Sequence, residues 1–348
     1  MPFDLQSILR ENIKTLKPYT SARDEYKGKE GTFLDANENA FGSATDALHN
    51  RYPDPLQWEV KKALAPLKGL NPENIFIGNG SDEAIDLLFR CFCRPGVDNV
   101  IITPPTYGMY EVSANINDIS LKKVMLSPDF EINANEILTT VDGNTRAIIL
   151  CSPNNPTGNC LSGAEIEKII KNFNGIVALD EAYIDFATDR SFLPRLKEFP
   201  NLMIMQTFSK AWGMANLRLG LAFASVEIIN ILNKVKPPYN ISGLSQQLAL
   251  EAIKNSAKKD AYVKAILEQR ALLIKEIERL SFVLKIYPSD ANFILVKTTD
   301  GKKIYDYLVD NKVIVRDRST VKLCEGCLRI TVGTEKENAI LLEALRGY

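Results

Sequence analysis

The sequence predicts an α/β protein: a large domain with a mostly parallel central sheet, and a smaller α/β domain at the C-terminal end. Three observations carry that prediction. Between residues 71 and 225 short apolar runs alternate with helical or loop segments, the pattern of a sheet covered on both faces. Polar clusters follow five of these runs, where open α/β sheets place their ligands. A helix-rich stretch at 244–280, with Lys and Glu on one face and Ala, Leu and Ile on the other, then bridges to further strand patterns.

Taken in order, residues 1–31 combine an amphipathic pattern (Leu5, Ile8, Leu9, Ile13, Leu16) with Pro18, Tyr19 and a charged run at 23–30. They read as an arm that packs on something else. Residues 33–39 (FLDANEN) read as a brief strand ending in polar side chains. Asn50-Arg51-Tyr52-Pro53-Asp54-Pro55 is a turn, followed by a helical pattern through Trp58, Leu64 and Leu67. The apolar runs lie at 75–78, 100–103, 147–151, 176–179, 202–206 and 217–224. The connection at 209–216 is too short for a crossover helix, so the last run should lie antiparallel to a neighbour. Pro237-Pro238 and Ile241-Ser242-Gly243 break the pattern. Strands at 293–297 and 328–332 and helices at 302–310 and 335–346 make the second domain. The expected division is an arm at 1–31, a large domain at 32–243 and a small domain at 244–348.

Composition removes several function classes. The chain has 348 residues, 45% of them hydrophobic, and a formal net charge of -1, which favours neither nucleic acid nor an anionic membrane. No apolar run approaches a membrane span and residues 1–10 lack a signal-peptide layout, so a cytoplasmic location is expected. The six cysteines do not form the framework of a small secreted domain. Cys324 and Cys327 have redox or zinc spacing, but the pair stands alone. His49 is the one histidine, which leaves general base work to lysine, tyrosine or a carboxylate.

The chemistry gathers at the ends of the apolar runs. In 207–220 (TFSKAWGMANLRLG), Lys210 follows a strand end beside Thr207 and Ser209, and Arg218 comes eight positions later. A neutral lysine there can form a Schiff base with a carbonyl. Hydroxyls and a guanidinium can hold a phosphate. Together these are the needs of pyridoxal phosphate (PLP). A surface loop with a solvated lysine is the competing reading. Residues 75–83 (IFIGNGSDE) begin like a dinucleotide fingerprint, but Glu83 stands where the third glycine should be. What remains is a glycine turn opening a helix, with Ser81 as its N-cap and backbone N–H groups that suit a phosphate. Asp82 would contact that phosphate through its backbone. Asp180 ends a buried run. With no GxxxxGK[ST] in the chain, it fits a partner of the PLP ring nitrogen better than a metal ligand. Tyr183 and Asn155 can donate to the cofactor's phenolate oxygen, and Tyr107 can stack on its ring.

These residues carry a resemblance that runs almost end to end. It rests on 34–39, 51–55, 78–83, 152–158 (SPNNPTG), 180–183 (DEAY), Ser209-Lys210, Arg218 and 326–333 (GCLRITVG). The chain resembles the fold-type I PLP aminotransferases of the class-II aminotransferase family, and within it is similar to the histidinol-phosphate aminotransferases. The resemblance implies Lys210 as the Schiff-base and proton-shuttling lysine, Asp180 at the ring nitrogen, and Asn155 with Tyr183 at the phenolate. It implies Ser81, Asp82, Ser209 and Arg218 around the cofactor phosphate, and Arg329 on the carboxylate of glutamate. Tyr19, Asn37 and Arg316 would face the substrate. A homodimer is implied, with Tyr52 reaching the partner subunit's cofactor phosphate. Ala40 stands where the family usually has proline. The implied reaction moves an amino group between L-histidinol phosphate and 2-oxoglutarate, giving imidazole-acetol phosphate and L-glutamate in histidine biosynthesis. Histidinol phosphate has no α-carboxylate, so a second basic residue beside Arg329 is required; Arg316 is the candidate, against a surface ion pair with Asp317. A PLP-dependent threonine-phosphate decarboxylase, an aromatic amino-acid aminotransferase and a non-catalytic module of this fold remain the alternatives.

Overall fold

A computed structural model describes residues 3–20 and 30–348. The charged run at 23–30 falls almost wholly outside them.

The first strands form because β-branched and apolar residues come in short bursts between turns. A seven-stranded sheet contains β1 (Ile75–Asn79), β2 (Asn99–Ile102), β3 (Ser120–Lys123), β4 (Thr145–Cys151), β5 (Ile176–Asp180), β6 (Leu202–Thr207) and β7 (Leu219–Phe223). Their order is β1-β7-β6-β5-β4-β2-β3. The pairs from β6 through β3 are parallel, and β7 runs antiparallel to both β6 and β1, as the short 209–216 connection requires. Side chains alternate between two cores. Ile148, Leu150, Val177, Leu179 and Ile204 bury on one face, and Ala147, Ile149, Ala178, Met203 and Met205 on the other. Each fully buried Ile or Leu contributes roughly 1.5–3 kcal/mol of transfer free energy. Strand β3 has no apolar run to announce it: it is an edge strand, SLKK, half exposed, with lysines where a neighbour would otherwise pair.

The second sheet is antiparallel, in the order β10-β11-β9-β8. It comprises β8 (Val283–Ile286), β9 (Phe293–Thr298), β10 (Arg316–Asp317) and β11 (Cys327–Thr331). Helices Gly301–Asp310 and Glu335–Arg346 cover it, the second opening on a capping box between Thr334 and Glu337. Register places Arg316 directly opposite Arg329. The bridge at 244–280 is two helices, Gly243–Lys254 and Ser256–Ile277. The second is less amphipathic than expected, burying only Leu273 and Ile277.

The arm forms two short helices, Leu5–Ile8 and Glu11–Lys14. Ile8, Leu9 and Ile13 join the core that contains Phe89 and Phe92, and Arg10 donates to the carbonyl of Arg90. Residues 33–39 form no strand. Neither sheet extends to them, and a strand needs a ladder partner to persist.

One close approach fixes the loop that opens the helix Gly80–Phe92. Gly78 pairs with Gly220, and the N–H of Gly80 donates to the carbonyl of Arg218 at 2.6 Å. A Cβ on Gly220 would lie 2.0 Å from the Gly80 carbonyl carbon and the Ser81 nitrogen. Gly80 itself has φ +70°, so the strand turns straight into the helix. Ser81 is consequently not the N-cap: Asn79 holds that position, and Ser81 sits in the first turn.

Candidate active site

The carboxyl ends of the central strands open into a cleft of about 690 Å³, a volume suited to a small-molecule ligand. Ser81, Asp82, Tyr107, Asn155, Asp180, Tyr183, Ser209, Lys210, Arg218, Arg316 and Arg329 all line it. The first nine come from the large sheet's strand ends and the loops or helix starts that follow. The two arginines come from the second sheet, Arg316 from its edge strand β10 and Arg329 from the adjoining β11.

Lys210 follows β6, and its ammonium lies over the Tyr183 ring at 5.4 Å from the centroid. Burial lowers its pKa, and the nearby Arg329 guanidinium lowers it further, while Asp180 works the other way. The neutral amine is therefore more accessible than on a surface lysine. Asp180 ends β5 and is buried, with Oδ1 accepting the Ala182 N–H at 3.0 Å. Its Oδ2 accepts the hydroxyl of Tyr110 at 2.5 Å. Burial raises the Asp180 pKa, opposed by the Tyr110 hydroxyl and the Ala182 N–H.

At the opening of the helix Gly80–Phe92, Arg218 reaches Asp82 Oδ2 at 3.3 Å, and the Tyr107 hydroxyl donates to Asp82 Oδ1 at 3.3 Å. The Asp82 carboxylate is thus held by its neighbours beside the helix start. Arg218 adopts φ +54°, in the left-handed region, which the tight turn into β7 imposes. Ser209 donates its N–H to Thr207 Oγ1 at 3.0 Å. Glu83, where a dinucleotide fingerprint would have glycine, accepts the Asn79 N–H and the Asn240 amide, which ties the turn down.

On the opposite wall Arg329 donates to Asn155 Oδ1, joining the small sheet to the 152–158 loop. Arg316 is exposed and Arg318 half-buried. Neither these two nor Arg329 forms an ion pair with a carboxylate among the described residues. The competing surface pair between Arg316 and Asp317 is not formed: Asp317 Oδ1 instead accepts the Ser319 N–H at 2.8 Å. The Nε of Arg318 is buried without a hydrogen-bond partner. Three guanidinium groups thus converge with little to neutralise them.

Tyr19, Asn37 and Tyr52 do not line this cleft. Tyr19 borders a separate hollow with Pro55 and Leu56. Asn37 and Tyr52 border another with His49 and Gly243, where Tyr52 stacks on Tyr239 at 4.4 Å. The one histidine therefore stands apart from Lys210. Cys324 and Cys327 are buried, and burial pushes their thiols up to about 12 and about 11. No group of three or more metal-ligating side chains occurs among the described residues.

Comparison with known proteins places this geometry. Residues 25–345 match the family described as aminotransferase class I and II. The chain belongs to that family. This aminotransferase is 59% identical over 348 residues to a histidinol-phosphate aminotransferase of Cytophaga hutchinsonii, covering 100% of each chain. It is 52% identical to the same enzyme of Bacteroides thetaiotaomicron, covering 99% of each. Its fold matches a histidinol-phosphate aminotransferase of Sinorhizobium meliloti solved in complex with pyridoxal-5'-phosphate, with a TM-score of 0.79, 22% identity and 97% of each chain covered.

Two residues at the site of this aminotransferase escaped the sequence reading: Arg318, which lines the cleft, and Tyr110, fully buried behind it. Arg318 lies two positions from Arg316, and the period of a strand puts both on one face, so the signal was present. Tyr110 had none: three residues after Tyr107, at the start of the helix Met109–Ile116, it looks like any buried aromatic. No helix among the described residues is long and apolar enough to cross a membrane.

Proposed function

We infer that this chain transfers the amino group between L-histidinol phosphate and 2-oxoglutarate, using PLP. The observation that carries the reading is the meeting, in one cleft, of Lys210 and Asp180 with three arginines that lack carboxylate partners. The residues fit the cofactor. A 13-residue helix starts at the Gly80 turn, Arg218 stands beside it, and Asp180 faces the same cleft 30 residues before Lys210.

In this reading Ser81, Asp82 and Ser209, with Arg218, hold the cofactor phosphate, the helix start adding its N–H groups. Asp180 holds the ring nitrogen, Asn155 and Tyr183 flank the phenolate, and Tyr107 stacks. When bound, PLP supplies an electron sink conjugated with the substrate Cα. Lys210 holds the cofactor between turnovers and carries the proton to and from that Cα, a task its lowered pKa suits. Arg329 binds the carboxylate of glutamate and Arg316 the phosphate of histidinol phosphate. The division into arm, large domain (32–243) and small domain (244–348) belongs to the same reading, with the substrate between the domains. So does a cytoplasmic location for a biosynthetic enzyme of this kind.

The test is a single half-reaction on the purified holoenzyme. Histidinol phosphate should convert the cofactor to its amine form, followed by absorbance; threonine phosphate and phenylalanine should do so much more slowly. Carbon dioxide release from threonine phosphate without that conversion would replace the reading with a decarboxylase.

Arg316→Ala removes a charge-assisted contact worth roughly 1.5–3 kcal/mol, so kcat/KM for histidinol phosphate should fall about ten- to a hundredfold. The glutamate half-reaction should change much less. Equal losses for both substrates would take Arg316 out of the phosphate site.

The same reading makes the enzyme a homodimer. Tyr52 and Asn37 lie away from their own chain's cleft, and Leu34, Phe41 and Leu48 beside them are exposed, as a surface awaiting a second copy would be. Tyr19, likewise outside its own cleft, is assigned with Asn37 to the partner's substrate, and Tyr52 to the partner's cofactor phosphate. Sedimentation at assay concentrations should show a dimer. A fully active monomer would refute the shared site.

A further inference from the structure

We propose that Tyr110 is a positioning residue, which fixes the Asp180 carboxylate in one orientation and keeps it ionised for the ring nitrogen of PLP. The proposal rests on the reading of Asp180 given above.

The Tyr110 side chain is fully buried, packed edge-on against Tyr107 with ring centroids 5.5 Å apart. Its hydroxyl donates to Asp180 Oδ2 while the Ala182 N–H donates to Oδ1, so each carboxylate oxygen has one fixed donor. The two donors come from different elements, the helix Met109–Ile116 and the turn after β5, and together they set the plane of the carboxylate. A buried carboxylate with too few donors takes up a proton and loses its charge. Protonated Asp180 would meet a protonated ring nitrogen without attraction. The groups that bear on Asp180 are Tyr110, Asp82, Lys210, Cys151, Tyr107 and Tyr183, with the Ala182 N–H. Of the side chains, Tyr110 is the one that hydrogen-bonds the carboxylate directly. Tyrosine serves here because it is neutral: the donor stabilises the anion without neutralising it, leaving the charge for the ligand.

A packing role for Tyr110 predicts something different, and a cofactor analogue separates the two. Apoenzyme would be titrated with PLP and with its deaza analogue, in which carbon replaces the ring nitrogen. Wild type, Tyr110→Phe, Asp180→Asn and the double variant would be compared by equilibrium binding. The wild type should prefer PLP. Tyr110→Phe should reduce that preference about tenfold or more, from the loss of a hydrogen bond to a charged group. Asp180→Asn should reduce it as well, and the double variant no further than Asp180→Asn alone, because Tyr110 acts through Asp180. Equal weakening toward both ligands in Tyr110→Phe, or an unchanged preference, overturns the proposal. An unchanged preference in Asp180→Asn instead brings down the reading of Asp180 beneath it. Should Tyr110→Phe not fold, 3-fluorotyrosine at position 110 keeps the ring and strengthens the donor. The preference for PLP should then rise, and a preference that does not rise overturns the proposal.

Discussion

Lys210→Ala should cost this enzyme about four orders of magnitude or more in steady turnover, because one substitution removes both the covalent hold on the cofactor and the base. The fold should survive: Lys210 is exposed to the cleft and donates no hydrogen bond that the core depends on, so stability should change by no more than about 0.5 kcal/mol. Borohydride reduction of the wild type followed by peptide mapping should place the cofactor on Lys210. Two other lysines provide the contrast. Burial also lowers the ammonium of Lys61, to about 8, and that of Lys68, yet neither lines the cleft. A label on either would show that a depressed pKa alone had selected the lysine, and the assignment of Lys210 would fall.

Gly220→Ala should be the most damaging small substitution in the seven-stranded sheet. The added methyl would stand 2.0 Å from Gly80 and Ser81, and 2.4 Å from the Gly80 carbonyl oxygen. All of these are backbone atoms in a paired strand and a helix start, so no flexible side chain can give way. Overpacking of this kind costs typically about 1–3 kcal/mol, and here the upper end or more is expected. The strain falls on the turn assigned to the cofactor phosphate, so PLP should bind more weakly as well. Denaturant unfolding of the apoenzyme measures the first effect and equilibrium titration the second. An unfolding midpoint and a PLP affinity both equal to wild type would contradict the packing described.

Much of this molecule was legible in its sequence because apolar bursts and strand-end polar clusters are strong local signals. Six strands of the large sheet, and the antiparallel turn of β7, followed from run lengths and connection lengths. The strands that escaped, β3 and β8, lie at sheet edges, where half-exposed residues lack a hydrophobic pattern. Residues 33–39 misled in the opposite sense, showing strand-like composition where no ladder exists in the chain. At the candidate site, Lys210, Asp180 and Arg218 could be read because their chemistry is rare at strand ends. Tyr110 could not, since its role depends on a contact 70 positions away in the chain. Ser81 failed as an N-cap because the glycine turn starts the helix two residues earlier, with Asn79 as the cap.

The register that sets Arg316 opposite Arg329 has a consequence for how the four-stranded sheet folds. Like charges facing each other across a strand pair are locally destabilising. Arg329 is partly desolvated, which deepens the penalty. The edge of that sheet is thus frustrated when empty, and an anion placed between the two strands relieves the conflict. In the proposed function, substrate is then more than cargo: its charge would complete the electrostatic structure of the sheet that binds it, and ligand occupancy and local folding would become one linked equilibrium.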